Sequence, residues 1–314
     1  MELVQYKRIA DGVANVMDWV LANELSLSTP AKYYLVNKGD SAWLIAEMDT
    51  LALGKNISAY LHPDVAKHLS AVLNRMPVFV SAKAGLHCSV LLSGRPRLPD
   101  FVQYPGWKRG IVQLGMMANG KALEMKWDEL GHVLIAGMTQ QGKSNLLRLL
   151  VLQARDEGIK LMLADDGRTF GKFQGDEALL HPVVTALEKC YEIVDKANSE
   201  IIRRGRLFDT HPERPDSLAD YNAVADEPLP QILEMLDEFS AMVSATGGSK
   251  SQFAQLITSV AWRGLKFGVQ LVLSGQDFTK DTVGPVAEQM LTKIALKVMK
   301  GSTSRVVLGR NGAE

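Results

Sequence analysis

The apolar positions of this chain follow two regimes, and the change falls near residue 109. In the first 28 residues Ile9, Val13, Val16, Met17, Val20 and Leu21 recur at helical spacing and predict one amphipathic helix. Strand-like runs follow at Tyr33–Val36 and Trp43–Ala46. A helix is predicted over Pro63–Leu73, with His62 and Asp64 at its start. Two strands, Pro77–Ser81 and Cys88–Leu92, are joined by a turn at Gly85. Together these predict a small α+β domain over residues 1–108. Ser93–Asp100 carries Gly94, Pro96 and Pro99 and reads as a connector. After a predicted hairpin, Ile111–Leu114 and Leu123–Trp127, strands and helices alternate. Strands are predicted at Val133–Ala136, Lys160–Ala164, Gln231–Leu236, Val269–Ser274 and Lys293–Val298. Helices are predicted from Asn145, over Val183–Arg204 and over Gln252–Lys266. Leu187, Tyr191, Val194, Ala197 and Ile201 share one face of the long helix. Alternation of this kind predicts an α/β domain over residues 109–314, with a mostly parallel sheet between helices.

Composition narrows the class. An apolar share of 46% against 22% charged residues is that of a globular chain with a real core. Formal net charge is zero, so nucleic-acid contact must come from local cations rather than a global field. Cys88 and Cys190 are too few for a disulfide framework and read as reduced, buried thiols of a cytoplasmic protein. No apolar run reaches membrane-spanning length, and Asp11 and Asp18 interrupt any signal-peptide pattern. His62, His68 and His87 are scattered and read as surface or packing residues.

The chemistry is carried by Gly137-Met138-Thr139-Gln140-Gln141-Gly142-Lys143-Ser144, followed by Asn145, which fits G-x-x-x-x-G-K-[ST]. Glycines let the backbone wrap a polyphosphate with its N–H groups turned inward, and the helix that follows adds the positive end of its dipole. Lys143 is then the cation for β/γ-phosphate charge, and the Ser144 hydroxyl a ligand for Mg²⁺. The second half of such a site is an apolar strand ending in carboxylates, and Gln231–Leu236 runs into Asp237-Glu238. Asp237 is the candidate Mg²⁺ partner opposite Ser144, and Glu238 the candidate general base. The strand Val269–Ser274 ends at Gln276. If it lies between the loop strand and the Asp-Glu strand, Gln276 stands at the γ-phosphate. These residues alone predict an ATP hydrolase using Mg²⁺.

The order of motifs resembles the motor domain of the FtsK/SpoIIIE family of DNA translocases, within the FtsK–HerA group of P-loop ATPases. The likeness is carried by Leu114–Lys121, His132–Asn145, Leu161–Gly167, Ile201–Arg204 with Asp220-Tyr221-Asn222, Leu236-Asp237-Glu238-Phe239, Gly268–Gln276 and Ser304–Glu314, and covers roughly residues 110–314. The resemblance implies a RecA-like ATPase that forms a homo-hexameric ring around double-stranded DNA and hydrolyses ATP between subunits. It also implies a trans-acting arginine, for which Arg263 is the first candidate and Lys266 and Arg305 are alternatives. The sequence departs from the family at Asp277-Phe278, where an arginine and a proline usually follow the sensor glutamine. Candidate DNA contacts are then Lys280, Lys250 and the cluster Arg203, Arg204 and Arg206. Residues 1–108 match more loosely and are a candidate surface for a protein partner. The family's winged-helix domain and membrane anchor are not found in the sequence, which suggests a minimal or trimmed motor. Two other readings stand beside the DNA motor: a HerA-like, conjugation or secretion-type ATPase that moves DNA or protein for a partner machine, and a non-motor P-loop nucleotide-binding protein.

Overall fold

The computed structural model describes residues 3–38, 41–49, 57–74, 76–82, 85–93, 101–117, 121–165, 169–284 and 286–314. The chain divides into two compact units, residues 1–103 with 115–123, and residues 104–114 with 124–314. The hairpin that the sequence assigns whole to the second domain is thus divided between the two. Most of the connector predicted at Ser93–Asp100, residues 94–100, lies outside the described residues, as do 118–120 and 166–168.

In the first unit, α1 (Lys7–Trp19) continues as a π-helical turn over Val20–Glu24. Strands β1 (Lys32–Lys38), β2 (Ser41–Glu47), β3 (Val78–Ser81) and β4 (His87–Leu91) form an antiparallel sheet in the order β1-β2-β4-β3. Helix α2 (Pro63–Val72) lies between β2 and β3 in sequence, and the His62 ring caps its first turn by accepting from Asp64 N. Ala10, Val13 and Met17 of α1 pack with Ala42, Leu44 and Ala46 of β2 and with Val65 and Leu69 of α2 in one core. The predicted apolar stripe was too wide. Ile9 and Val16 are exposed, because positions 10, 13, 17, 20 and 21 already fill the inward face at three- and four-residue spacing.

The divided hairpin is β5 (Ile111–Met116) with β6 (Ala122–Lys126), and the rest of the second unit follows it. Five parallel strands follow: β7 (Val133–Ala136), β8 (Lys160–Ala164), β9 (Ile232–Leu236), β10 (Val269–Gly275) and β11 (Thr292–Ala295), in the order β11-β7-β10-β9-β8. The longer helices are α3 (Lys143–Glu157), α4 (Cys190–Thr210), α5 (Leu218–Val224), α6 (Phe239–Ala245), α7 (Gln252–Arg263) and α8 (Gly301–Leu308). Period-two alternation splits each central strand between two cores. Leu134, Met162, Ile232, Leu236, Leu271 and Leu273 face α4, α6 and α7, while Val133, Leu161, Leu163, Leu233, Met235 and Val272 face α3. A sheet covered on both faces explains why these strands read as continuous apolar runs. The long helix starts at Cys190 rather than Val183, after a 3₁₀ turn at Leu187–Lys189. Strand β11 ends at Ala295 rather than Val298. No helix among the described residues is long and apolar enough to cross a membrane.

Candidate functional site

The strand order brings the chemistry together. In a parallel sheet with helices on both faces, the carboxyl ends of the central strands form a crevice. Here those ends belong to β7, β10 and β9, with β10 in the middle, the order under which Gln276 stands by the phosphate loop. Phosphate-loop residues between 138 and 145, with Glu238 and Gln276, line a cavity of about 310 Å³. A larger concavity, about 580 Å³, lies around Gly131, Gln231 and Gly268, which precede β7, β9 and β10. It is therefore at the opposite end of the strands and has no part in this chemistry.

The loop is shaped by its glycines. Gly142 sits at φ 92°, where a side chain is strained, and it starts α3 with no side-chain cap. The first-turn N–H groups of this 15-residue helix carry the positive end of its dipole at the cavity, an arrangement suited to a polyphosphate. A Cβ on Gly137 would come within 3.1 Å of the Leu296 side chain, which would have to give way by a few tenths of an ångström.

Asp237 is the hub. Its Oδ1 accepts from Lys143 Nζ at 2.8 Å, from the Ser274 hydroxyl and from Glu238 N at 3.0 Å. Its Oδ2 accepts from the Thr169 hydroxyl at 2.7 Å, and the same Thr169 Oγ1 lies 3.3 Å from Ser144 Oγ. Burial pushes the Asp237 carboxyl up, but the Lys143 ammonium and the hydrogen bonds from Lys143, Ser274 and Thr169 outweigh it. The group is held below the usual aspartate range and ionised. Lys143 also pairs with Glu238 Oε1. Gln276 donates from Nε2 to Glu238 Oε1 at 3.2 Å, and its Oε1 accepts from the Thr139 hydroxyl at 3.1 Å. Gln276 thus links the Asp-Glu strand to the phosphate loop. Ser144 and Asp237 offer hard oxygen ligands of the kind Mg²⁺ takes beside nucleotide phosphates, and Thr169 bridges them, so the residues present fit that ion.

The other sequence candidates fall elsewhere. Arg204 is corrected: it is only 1% exposed and cannot meet a polymer. It donates from Nε to Glu200, from Nη1 to Phe267 O and from Nη2 to Pro230 O, tying α4 to the start of β9 and to the turn before β10. Arg203 is exposed but chelated by Glu200 through two 2.7 Å bonds. Arg206 and Lys250 are exposed, Lys250 in the turn after Gly247 and Gly248. The side chain of Lys280 lies outside the described residues. Arg263 ends α7, just before the turn into β10, at the end of the strands opposite the phosphate loop. There it donates from Nη2 to Asn198 Oδ1 and Ser259 Oγ, so it does not join the site of its own chain. Lys266 pairs loosely with Asp216 at 3.8 Å, and Arg305 is exposed on α8. Asp277, the departure from the family pattern, accepts from Lys300 Nζ at 2.5 Å and Thr303 Oγ1 at 2.8 Å and so anchors α8 beside the sensor glutamine. His62, His68 and His87 occupy separate places: a helix cap, an ion pair with Glu24 and a contact with Gly85 O. Thr169 and Ser274 are the two site residues that the sequence reading passed over.

Comparison with known proteins gives the family. The model of the FtsK/SpoIIIE family matches residues 104–280. The DNA translocase FtsK of Staphylococcus aureus (strain Mu50) is 27% identical over 274 residues, 81% of this chain and 34% of that protein. The ESX secretion system protein EccC of Thermomonospora curvata is 32% identical over 228 residues, 65% of this chain and 17% of that protein. The chain therefore spans about a third or less of these relatives. Among solved structures, the cytoplasmic domain of the Thermomonospora curvata type VII secretion ATPase EccC superposes with a TM-score of 0.56 at 29% identity, over 65% of this chain and 26% of that one. The pCW3 conjugation coupling protein TcpA, in its monomer form with ATPgS, gives 0.59 at 16% identity over 96% of this chain and 87% of that one, a likeness of fold. The chain belongs to the FtsK/SpoIIIE family, and its second unit is a P-loop ATPase domain.

Proposed function

We propose that this chain is the motor subunit of an ATP-driven double-stranded DNA translocase. The observation that carries the hydrolytic half is the convergence of Lys143, Glu238 and Gln276 on one cavity, with Asp237 buried against Lys143. The DNA half is supported by the FtsK translocases, which match four-fifths of the chain. Bound Mg-ATP supplies the bond that is broken and a cation to balance phosphate charge. The protein's own residues do the rest. Lys143 leaves the two carboxylates for the β/γ-phosphates. Glu238, released from Lys143, orients a water and takes its proton as the P–O bond forms. Gln276, tied to Glu238 and Thr139, reports phosphate loss to the loop and, through Asp277, to α8. We assign hydrolysis to the junctions of a homo-hexamer, with Arg263 as the residue reaching a neighbour's phosphate and with Lys266 and Arg305 as alternatives. Arg203, Arg206, Lys250 and Lys280 are the DNA contacts, Arg204 being withdrawn. Residues 1–108 receive a protein partner.

A second reading, a secretion-type ATPase that moves protein, is favoured by the 32% identity to EccC. The deciding experiment is the steady-state ATPase rate with and without linear duplex DNA, at low and moderate salt. The DNA motor gives strong stimulation by duplex that falls steeply with salt, because a ring grips the backbone with a few cations per subunit, and Lys143→Ala abolishes it. A rate that ignores duplex, single strands and RNA removes the DNA reading and turns the search to protein substrates.

A further inference from the structure

Of the two non-motif side chains that hold Asp237, Ser274 and Thr169, it is Thr169 that also reaches Ser144. Thr169 is 3% exposed and follows β8, whose carboxyl end borders that of β9. Its hydroxyl is the group between the two oxygens assigned to Mg²⁺. Asp237 Oδ1 is taken by Lys143, Ser274 and the Glu238 amide, so Oδ2 is the oxygen turned toward Ser144, and Thr169 holds it. With 2.7 Å on one side and 3.3 Å on the other, Ser144 Oγ and Asp237 Oδ2 are no more than about 6 Å apart. The backbone that carries this hydroxyl is fixed from both sides. Arg148 Nε donates to Thr169 O at 2.9 Å, and Phe170 N donates to Asp165 Oδ2 at 2.5 Å while the Phe170 ring is fully buried. Arg148 lies one turn after Ser144 on the same face of α3. The helix that offers the serine therefore also clamps the threonine opposite it.

We propose that Thr169 is a positioning residue for the divalent cation: its hydroxyl sets the spacing between Ser144 and Asp237 and so fixes the affinity of the nucleotide complex for Mg²⁺. The inference rests on the Mg-ATP reading above. A structural threonine in a core would satisfy its hydroxyl on a nearby carbonyl of its own segment. This one spends it on a carboxylate that is already ionised and already holds three other donors. Groups that orient a metal's ligands typically contribute about 10- to 100-fold to metal affinity, and that is the expected size of the effect.

The test is the binding of mant-ATP to the full chain, first in EDTA and then across a Mg²⁺ titration, for the wild type and for Thr169→Val, Thr169→Ala and Thr169→Ser. Mn²⁺ occupancy is followed in parallel by electron paramagnetic resonance. In both Val and Ala variants the Mg²⁺ midpoint rises about 10-fold or more with the EDTA affinity unchanged, and the Mn²⁺ signal of the nucleotide complex weakens. Thr169→Ser returns close to wild type. The proposal is overturned if the midpoints of the Val and Ala variants match wild type, or if EDTA binding falls in step with them, since Thr169 would then shape the loop and not the cation site. A wild type whose mant-ATP binding ignores Mg²⁺ instead overturns the Mg-ATP reading itself. The two failures are thereby told apart.

Discussion

Glu238 is held at φ 59°, ψ 42°, a left-handed backbone that a residue with a side chain adopts at a cost of about 1–2 kcal/mol. The neighbours that enforce it are those of the site: its amide donates to Asp237 Oδ1, and its carboxylate is caught between Lys143 and Gln276. Strain kept at the residue proposed as base fits a group whose placement matters more than local stability. Glu238→Gln is therefore expected to bind ATP and trap it, with turnover reduced by at least about 100-fold; normal hydrolysis by that variant in a single-turnover assay would remove Glu238 as base. Four residues earlier stands a carboxyl with no such use. Glu234 is fully buried on β9, neither oxygen has a hydrogen-bond partner, and burial alone pushes its pKa from 4.5 to about 8. The folded state thus keeps a proton that the unfolded chain releases above its ordinary value. Stability from this site falls as pH rises from about 4.5 toward 8, by a few kcal/mol in all. Glu234→Leu should raise the melting temperature, and by more at about pH 8 than at about pH 5. Equal gains at the two pH values would show that the carboxyl is not titrating there. Asp237 and Glu238 were legible in the sequence because an apolar run ends in them. Thr169 was not, because it stands just outside the stretches that carry the resemblance and reaches Asp237 only when β8 and β9 pair.

At the scale of the element, β10 illustrates why order in a sheet can be inferred from chemistry. A sensor amide at its end is of use only if the strand lies between the loop strand and the Asp-Glu strand, and it does. Helix α4 shows the opposite case. Arg203, Arg204 and Arg206 look in sequence like one basic patch, yet the helix turns them to different sides. Ala197, Ile201, Arg204 and Phe208 follow at spacings of four, three and four, so Arg204 belongs to the buried stripe. The signal was present in the periodicity and was outweighed by counting charges. Arg204→Ala would strand the carbonyls of Phe267 and Pro230 and release Glu200. It is expected to cost about 3–5 kcal/mol in chemical denaturation without altering the salt dependence of duplex stimulation. A changed salt slope with unchanged stability would return Arg204 to the polymer-binding set.

For the whole molecule, the α/β layering and both halves of the phosphate site were readable, because each is written in contiguous residues. The division of the hairpin between the two units was not, since it depends on packing between segments distant in sequence. Neutrality of the chain bears on the proposed polymer contact too: with no global field, such a contact would rest on local cations and weaken with salt. One more consequence follows from Lys143 resting on Asp237 and Glu238. The site supplies its own counter-ions to Lys143, so an arriving polyphosphate would not meet a bare cation. It competes with two carboxylates for that cation, and their repulsion grows as the lysine leaves. On the proposed role, Lys143→Ala would delete a phosphate contact and at the same time expose two adjacent negative charges to the ligand. Its binding loss is the sum of both effects, and the thermodynamic coupling between positions 143 and 238 has the sign of a lock shared by key and keyhole, one that only paired substitutions can resolve.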